Sequence, residues 1–119
     1  MNYLVHMKLV NSHRPAVPQD GIDFIEQIIL PTLELCQKLQ AEKKILAGGP
    51  MSGSIALSFI VSAGSAQELD DLITSLPVWP RMETVVTPLT TFDGRMESVR
   101  ALLEQLKAQM QNEAAVSAS

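Results

Sequence analysis

One cysteine, Cys36, in 119 residues rules out an internal disulfide framework and any cysteine-based zinc cluster. Cations are also scarce: nine Lys and Arg against thirteen Asp and Glu give a net charge of −4, which excludes the basic footprint of a nucleic-acid binder. No apolar run approaches the roughly 18 residues that a membrane span takes. The opening MNYLVHMKLV lacks the basic flank, long apolar core and small-residue cleavage site of a signal peptide. Phosphate loop, elbow serine and paired metal-spaced histidines are all missing. His6 and His13, separated by a loop, do not make a metal site. These absences leave a small, acidic, cytoplasmic chain with no membrane or nucleic-acid partner.

What remains is organised around Ser65–Phe92. Ser65 followed by Glu68 is a capping box, and Leu69, Leu72, Ile73 and Leu76 then make one apolar stripe. Pro77 and Pro80 stop that helix and hold Val78 and Trp79 at a rigid corner. From Met82 the β-branched Thr84, Val85, Val86 and Thr87 turn the chain into a strand.

Upstream, Tyr3, Val5, Met7 and Leu9 alternate with Leu4, His6, Lys8 and Val10, a strand with one apolar face. Asn11–Gln19, with His13, Arg14, Pro15 and Pro18, reads as a loop. Ile22, Ile25, Ile28, Ile29, Leu33, Cys36 and Leu39 keep helical spacing and place Cys36 in the core. Pro31 interrupts that run, which predicts a kink near Gln27–Leu30 or two helical pieces. Glu42-Lys43-Lys44 ends it with cations suited to the helix dipole. Ile45–Met51, broken by Gly48, Gly49 and Pro50, suits an edge strand. Ile55–Ser62 alternates cleanly again.

The order β-α-β-β-α-β is the split βαβ of the ferredoxin-like α+β fold, with right-handed crossovers giving an antiparallel sheet in the order 4-1-3-2. The open face would carry Leu4, Ile60 and half of the last strand. An apolar face of that extent calls for a second copy, hence a homodimer with two sheets face to face, or a higher homo-oligomer. After Phe92, Met96, Val99, Leu102, Leu103, Leu106 and Met110 define an added amphipathic helix with a packing or assembly surface. We expect one domain over residues 1–112 and a disordered tail over 113–119.

The chemistry has two readings at each position. His6 and Lys8 project from one strand face toward an expected cavity. They suit a general acid/base and a cation that stabilises an oxyanion; a hydrogen-bonded histidine at a subunit contact and a solvated lysine are the alternatives. Ser58, brought beside them by the topology, is either a ligand contact or small packing. Trp79 caps a pocket or packs the corner. Arg81 and Glu83 serve the site or pair with each other in solvent. Gly48 and Gly49 admit a ligand or a partner backbone, or end a weak strand.

Two stretches, Leu4-Val5-His6-Met7-Lys8 and Leu76-Pro77-Val78-Trp79-Pro80-Arg81-Met82-Glu83 leading to Val86-Thr87-Pro88-Leu89, resemble the muconolactone delta-isomerase family of the dimeric α+β barrel superfamily. The resemblance implies a cofactor-free 1,3-proton transfer in a small lactone carboxylate, without metal, by a protein assembled through dimers. By position it implies catalytic roles for His6 and Lys8 and, after the matching Leu-Pro corner, a catalytic role for Glu83 and substrate binding for Arg81. The second strand departs from that family: Ile45-Leu46-Ala47-Gly48-Gly49-Pro50 has none of its Trp and Arg, and resembles the YciI-type branch. The His/Asp pair of that branch has no counterpart here. A non-catalytic small-molecule-binding or scaffold protein is therefore the competing reading. Fold analogy alone also admits a cofactor-independent oxygenase.

Overall fold

The computed structural model describes residues 1–10 and 17–118; His13, Arg14 and most of the first loop lie outside the described residues. The chain divides into two compact units, Met1–Leu89 and Thr90–Ser119.

In the first unit β1 (Asn2–Leu9), β2 (Ile45–Pro50), β3 (Ala56–Ser62) and β4 (Met82–Leu89) form one antiparallel sheet ordered β2-β3-β1-β4. This is the expected 4-1-3-2 order read from the other edge. The first crossover comprises α1 (Pro18–Phe24), a π-helical turn (Ile25–Ile29) and α2 (Leu30–Ala41); the second is α3 (Ala66–Thr74). The result is the ferredoxin-like βαββαβ arrangement. Both crossovers cover one sheet face, because alternation sends Tyr3, Val5 and Met7 of β1 and Leu57, Phe59 and Val61 of β3 into a single cluster with Leu39, Leu69 and Ile73. Val5, Met7 and Val61, together with Leu76 and Val78, are the most deeply buried side chains.

Pro31 acts where the sequence placed it, but as a π turn rather than a break. Its missing N–H and its ring are incompatible with an uninterrupted ladder, and the Leu30 N–H donates instead to the Ile25 carbonyl, five residues back. The extra residue rotates the helix surface by about 100°. Leu33, Cys36 and Leu39 therefore meet the sheet, whereas Ile22 and Ile25, expected on the same stripe, are 47% and 51% exposed.

α2 closes with Lys43 in the left-handed region at φ 60°. There its N–H donates to Gln40 O at 3.1 Å, and the Lys44 N–H to Leu39 O at 2.9 Å. The cations thus mark the end of the helix, while the turn itself wants a residue without Cβ. Lys43→Gly is expected to stabilise the protein by about 0.5–1 kcal/mol, after allowing for the extra freedom of glycine in the unfolded chain. A higher urea midpoint at unchanged slope is the readout.

α3 starts as its capping residues predict. Ser65 Oγ accepts the Glu68 N–H at 3.1 Å, while Glu68 Oε2 accepts the N–H of Gly64 at 2.9 Å, one residue further back than a capping box requires. Leu69, Ile73 and Leu76 are buried and Leu72 is partly buried against the core. After Pro77 the chain makes a 3₁₀ turn at Trp79–Arg81 and enters β4.

The second unit is one helix, α4 (Phe92–Ala118). Thr91 caps it, with Oγ1 accepting the Gly94 N–H at 2.9 Å. The helix continues to Ala118, through the segment from Glu113 where the sequence carries no apolar spacing.

Candidate active site

Alternation puts Leu4, His6 and Lys8 of β1 on the sheet face opposite the helices, and register decides their neighbours. His6 lies opposite Ser58 on one side and Val85 on the other; Lys8 lies opposite Ala56 and Glu83. β1 and β3 are the two inner strands, so this cluster sits mid-sheet. His6 Nδ1 is 3.2 Å from Ser58 Oγ. That contact fixes the imidazole plane and, among the described residues, leaves Nε2 without a hydrogen-bond partner. His6 is half-buried, whereas Lys8 and Glu83 are exposed. Lys8 and Glu83 face each other across β1 and β4, yet form no ion pair within 4.0 Å among the described residues. Each is then free to meet a ligand.

Arg81 and Trp79 are not brought to this cluster. The Arg81 guanidinium stands 5.0 Å from the centre of the Phe24 ring on α1, a cation–π contact, and does not pair with Glu83. Trp79 opens the 3₁₀ turn with its N–H on Leu76 O at 2.9 Å and its side chain 40% exposed. The residues singled out in sequence thus separate into an open-face group (His6, Ser58, Lys8, Glu83) and a corner group (Trp79, Arg81).

Among the described residues, two clefts of a different character lie on the helix side. One of about 200 Å³ lies between Ile29, Leu33, Val78 and Met82. The other, about 310 Å³, lies between α2 and the edge strand, with Cys36, Gln37, Gln40 and Gly48 in its wall. Leu33, Pro50 and Leu57 line both, and none of the six candidate site residues lines either. Burial pushes the Cys36 thiol above its ordinary value of 9.0, so it stays protonated at neutral pH and is a poor nucleophile. Gly48 has φ +108°. A Cβ there would run into Ser58 O and stand 2.5 Å from Phe59 Cα, so the glycine is what lets β2 lie against β3.

Thr32, which sequence reasoning did not single out, joins the two crossovers. It is 2% exposed. Its hydroxyl donates to Ile28 O at 2.7 Å and accepts the Val78 N–H at 3.1 Å. A threonine placed directly after Pro31, in the first turn of a helix where its hydroxyl can bond the carbonyl four residues back, was the available signal. Val78, between Pro77 and Trp79-Pro80, has no strand partner for its amide and needs one from a side chain. Thr32→Val keeps the shape and strands that buried amide, so a loss of about 1–3 kcal/mol is expected in chemical denaturation.

The geometry can be compared with known proteins. A family model described as muconolactone delta-isomerase matches residues 1–94, that is, all of the sheet unit and the first turn of α4. No curated protein sequence matches the chain. Among solved structures, a muconolactone isomerase crystal structure is similar at 26% identity and TM-score 0.60, over 76% of this chain and 90% of that one. A 5-chloro-2-hydroxyhydroquinone dehydrochlorinase from Burkholderia phenoliruptrix, solved with 2,5-dihydroxybenzoquinone, shares the fold at 23% identity and TM-score 0.56, over 79% of this chain and 98% of that one. With the family match spanning the whole of the sheet unit, this chain belongs to the muconolactone delta-isomerase family.

Proposed function

We propose that the protein catalyses a cofactor-free isomerisation of a small lactone or other enolisable carboxylate by 1,3-proton transfer. The observation that carries this reading is the His6–Ser58 pair at 3.2 Å in the middle of the open face, within a chain whose family is named for lactone isomerisation. In the proposed step, His6 Nε2 takes the acidic proton from the γ carbon of an α,β-unsaturated lactone, and the electron pair delocalises through the double bond into a dienolate. The imidazolium then returns the proton to the far carbon, which moves the double bond with no net change in atoms or electrons. Ser58 acts as a positioning residue that holds the ring through Nδ1. Lys8 supplies positive charge to the anionic intermediate and the carboxylate, and Glu83, opposite it in register, sets where that charge rests. Arg81, engaged on Phe24, is not available as the anion donor, and Trp79 stays at the corner, apart from this cluster.

The reaction needs water excluded from His6. The open face carries Leu4 at 38%, Val85 at 53% and the half-buried Ile60, and we assign its cover to a second copy of the chain in a face-to-face homodimer. The competing reading, ligand binding without catalysis, is favoured by the helix-side clefts, which are mostly apolar and are lined by none of His6, Ser58, Lys8 and Glu83. Incubating the protein in D2O with muconolactone and simple butenolides, followed by NMR, separates the two. Deuterium incorporation and isomerisation support the proposal. A silent panel combined with ligand-induced thermal stabilisation transfers the function to the clefts.

A further inference from the structure

α4 carries a sequence pattern of its own. Phe92, Met96, Val99, Leu103, Leu106 and Met110 follow one another at intervals of four, three, four, three and four residues, which is the a/d seam of a coiled coil. With Phe92, Val99 and Leu106 at d, and Met96, Leu103 and Met110 at a, Leu102 falls at g and widens the seam on one side. Every one of these side chains is exposed, from 48% at Leu103 to 92% at Phe92. A single helix that exposes an apolar stripe is marginal in water, and a narrow stripe at 3.5-residue spacing fits another helix rather than a sheet. The family match ends at residue 94, so it takes in only the start of this helix.

We propose that α4 pairs antiparallel with α4 of a second copy of this chain. The charges choose the orientation. In a parallel pair, g and e positions meet, which sets Arg95 against the partner's Arg100 twice. In an antiparallel pair, Val99 packs on the partner's Leu103, Met96 on the partner's Leu106, and Phe92 on the partner's Met110. The same register brings Asp93 to the partner's Lys107 at both ends. The two Leu102 side chains then meet beside the two-fold axis and extend the apolar contact. The one like-charge meeting, Arg100 with the partner's Arg100, is spaced three and four residues from Glu97 and Glu104 of its own helix, which offsets it. Opposed helix dipoles add to the same preference. This association is independent of the isomerase reading and of the sheet face.

The test uses the full chain carrying Cys36→Ser, which removes the only native thiol, together with Leu102→Cys. Mild oxidation is expected to give a covalent dimer on a non-reducing gel. Adding Leu103→Glu is expected to weaken the helix pairing on the order of 100-fold and suppress the cross-link. A second comparison reads the charges: Asp93→Lys lowers the cross-linking rate, and adding Lys107→Asp in the same chain restores it. Equal cross-linking with and without Leu103→Glu would overturn the proposal. So would a Val99→Cys chain that cross-links while Leu102→Cys does not, since that marks a parallel seam. A stripe packed on its own chain would leave Leu102→Cys uncross-linked and the charge swap without effect, and that result overturns it equally.

Discussion

Replacing His6 by glutamine is expected to lower deuterium exchange and isomerisation about 10²–10⁴-fold, the range general-base catalysis contributes. The substitution is chosen for what it keeps. A glutamine amide still reaches Ser58 Oγ and fills the same half-buried site between β3 and β4, but it cannot accept a proton and give it back. His6→Ala removes the ring altogether and is expected to lose as much activity. Ser58→Ala separates positioning from chemistry: it leaves the base in place and frees its ring, so a smaller loss, about 10-fold, is expected. That loss should fall on kcat rather than on KM. An unchanged rate in His6→Gln would remove this strand face from the mechanism. Lys8→Met, by contrast, is expected to weaken binding of carboxylate substrates together with turnover, because the charge it supplies acts on both ground state and intermediate.

Gly48→Ala is expected to be the most damaging single-methyl change in the sheet unit, costing about 3–5 kcal/mol. Two effects coincide there. The backbone at φ +108° belongs to a region that residues with a Cβ avoid. The new carbon would also be driven into the backbone of β3 at Ser58 and Phe59, atoms that cannot rotate aside as a side chain would. β2 would have to leave the sheet edge or shift register, exposing Ile45 and Phe59. Gly49→Ala is the internal control, since a Cβ at Gly49 meets nothing within 4 Å, and a change within about 0.5 kcal/mol is expected. Comparable losses at both positions would mean that strand entropy, not the close approach at Gly48, governs this edge.

These two sites also show what a sequence reading can reach. His6 and Ser58 were placed together correctly because their meeting follows from topology and a period of two: once β1 and β3 are neighbours with apolar faces inward, the polar positions have to coincide. The α3 stripe was equally legible, since a short amphipathic helix between a capping serine and a proline admits one reading. The first crossover was legible only in part. Pro31 announced a disturbance, but not that a π turn would add a residue and rotate Ile22 and Ile25 out of the core. Arg81 was drawn toward the site by its place in a matching stretch, whereas its actual partner, Phe24, depends on the path of a helix nearly sixty residues earlier, for which spacing gives no signal. For Gly48 the sequence offers either a close approach by a ligand or partner backbone or the end of a weak strand, and the close neighbour is β3 of its own sheet.

The Thr32 hydroxyl has a dynamic consequence. The amide it receives, Val78 N–H, is 46 residues away along the chain and lies between the exit of the second crossover and β4. Releasing that one proton to solvent requires α2 and the corner to separate, which opens the protein's most deeply buried side chains. Its exchange with solvent deuterium should therefore proceed only through whole-domain opening, at the free energy of global unfolding, although the neighbouring Trp79 side chain is 40% exposed. In Thr32→Val the same amide should exchange through a local fluctuation, uncoupled from the core. A single slow amide in an otherwise irregular stretch would then report that both crossovers unfold as one cooperative unit.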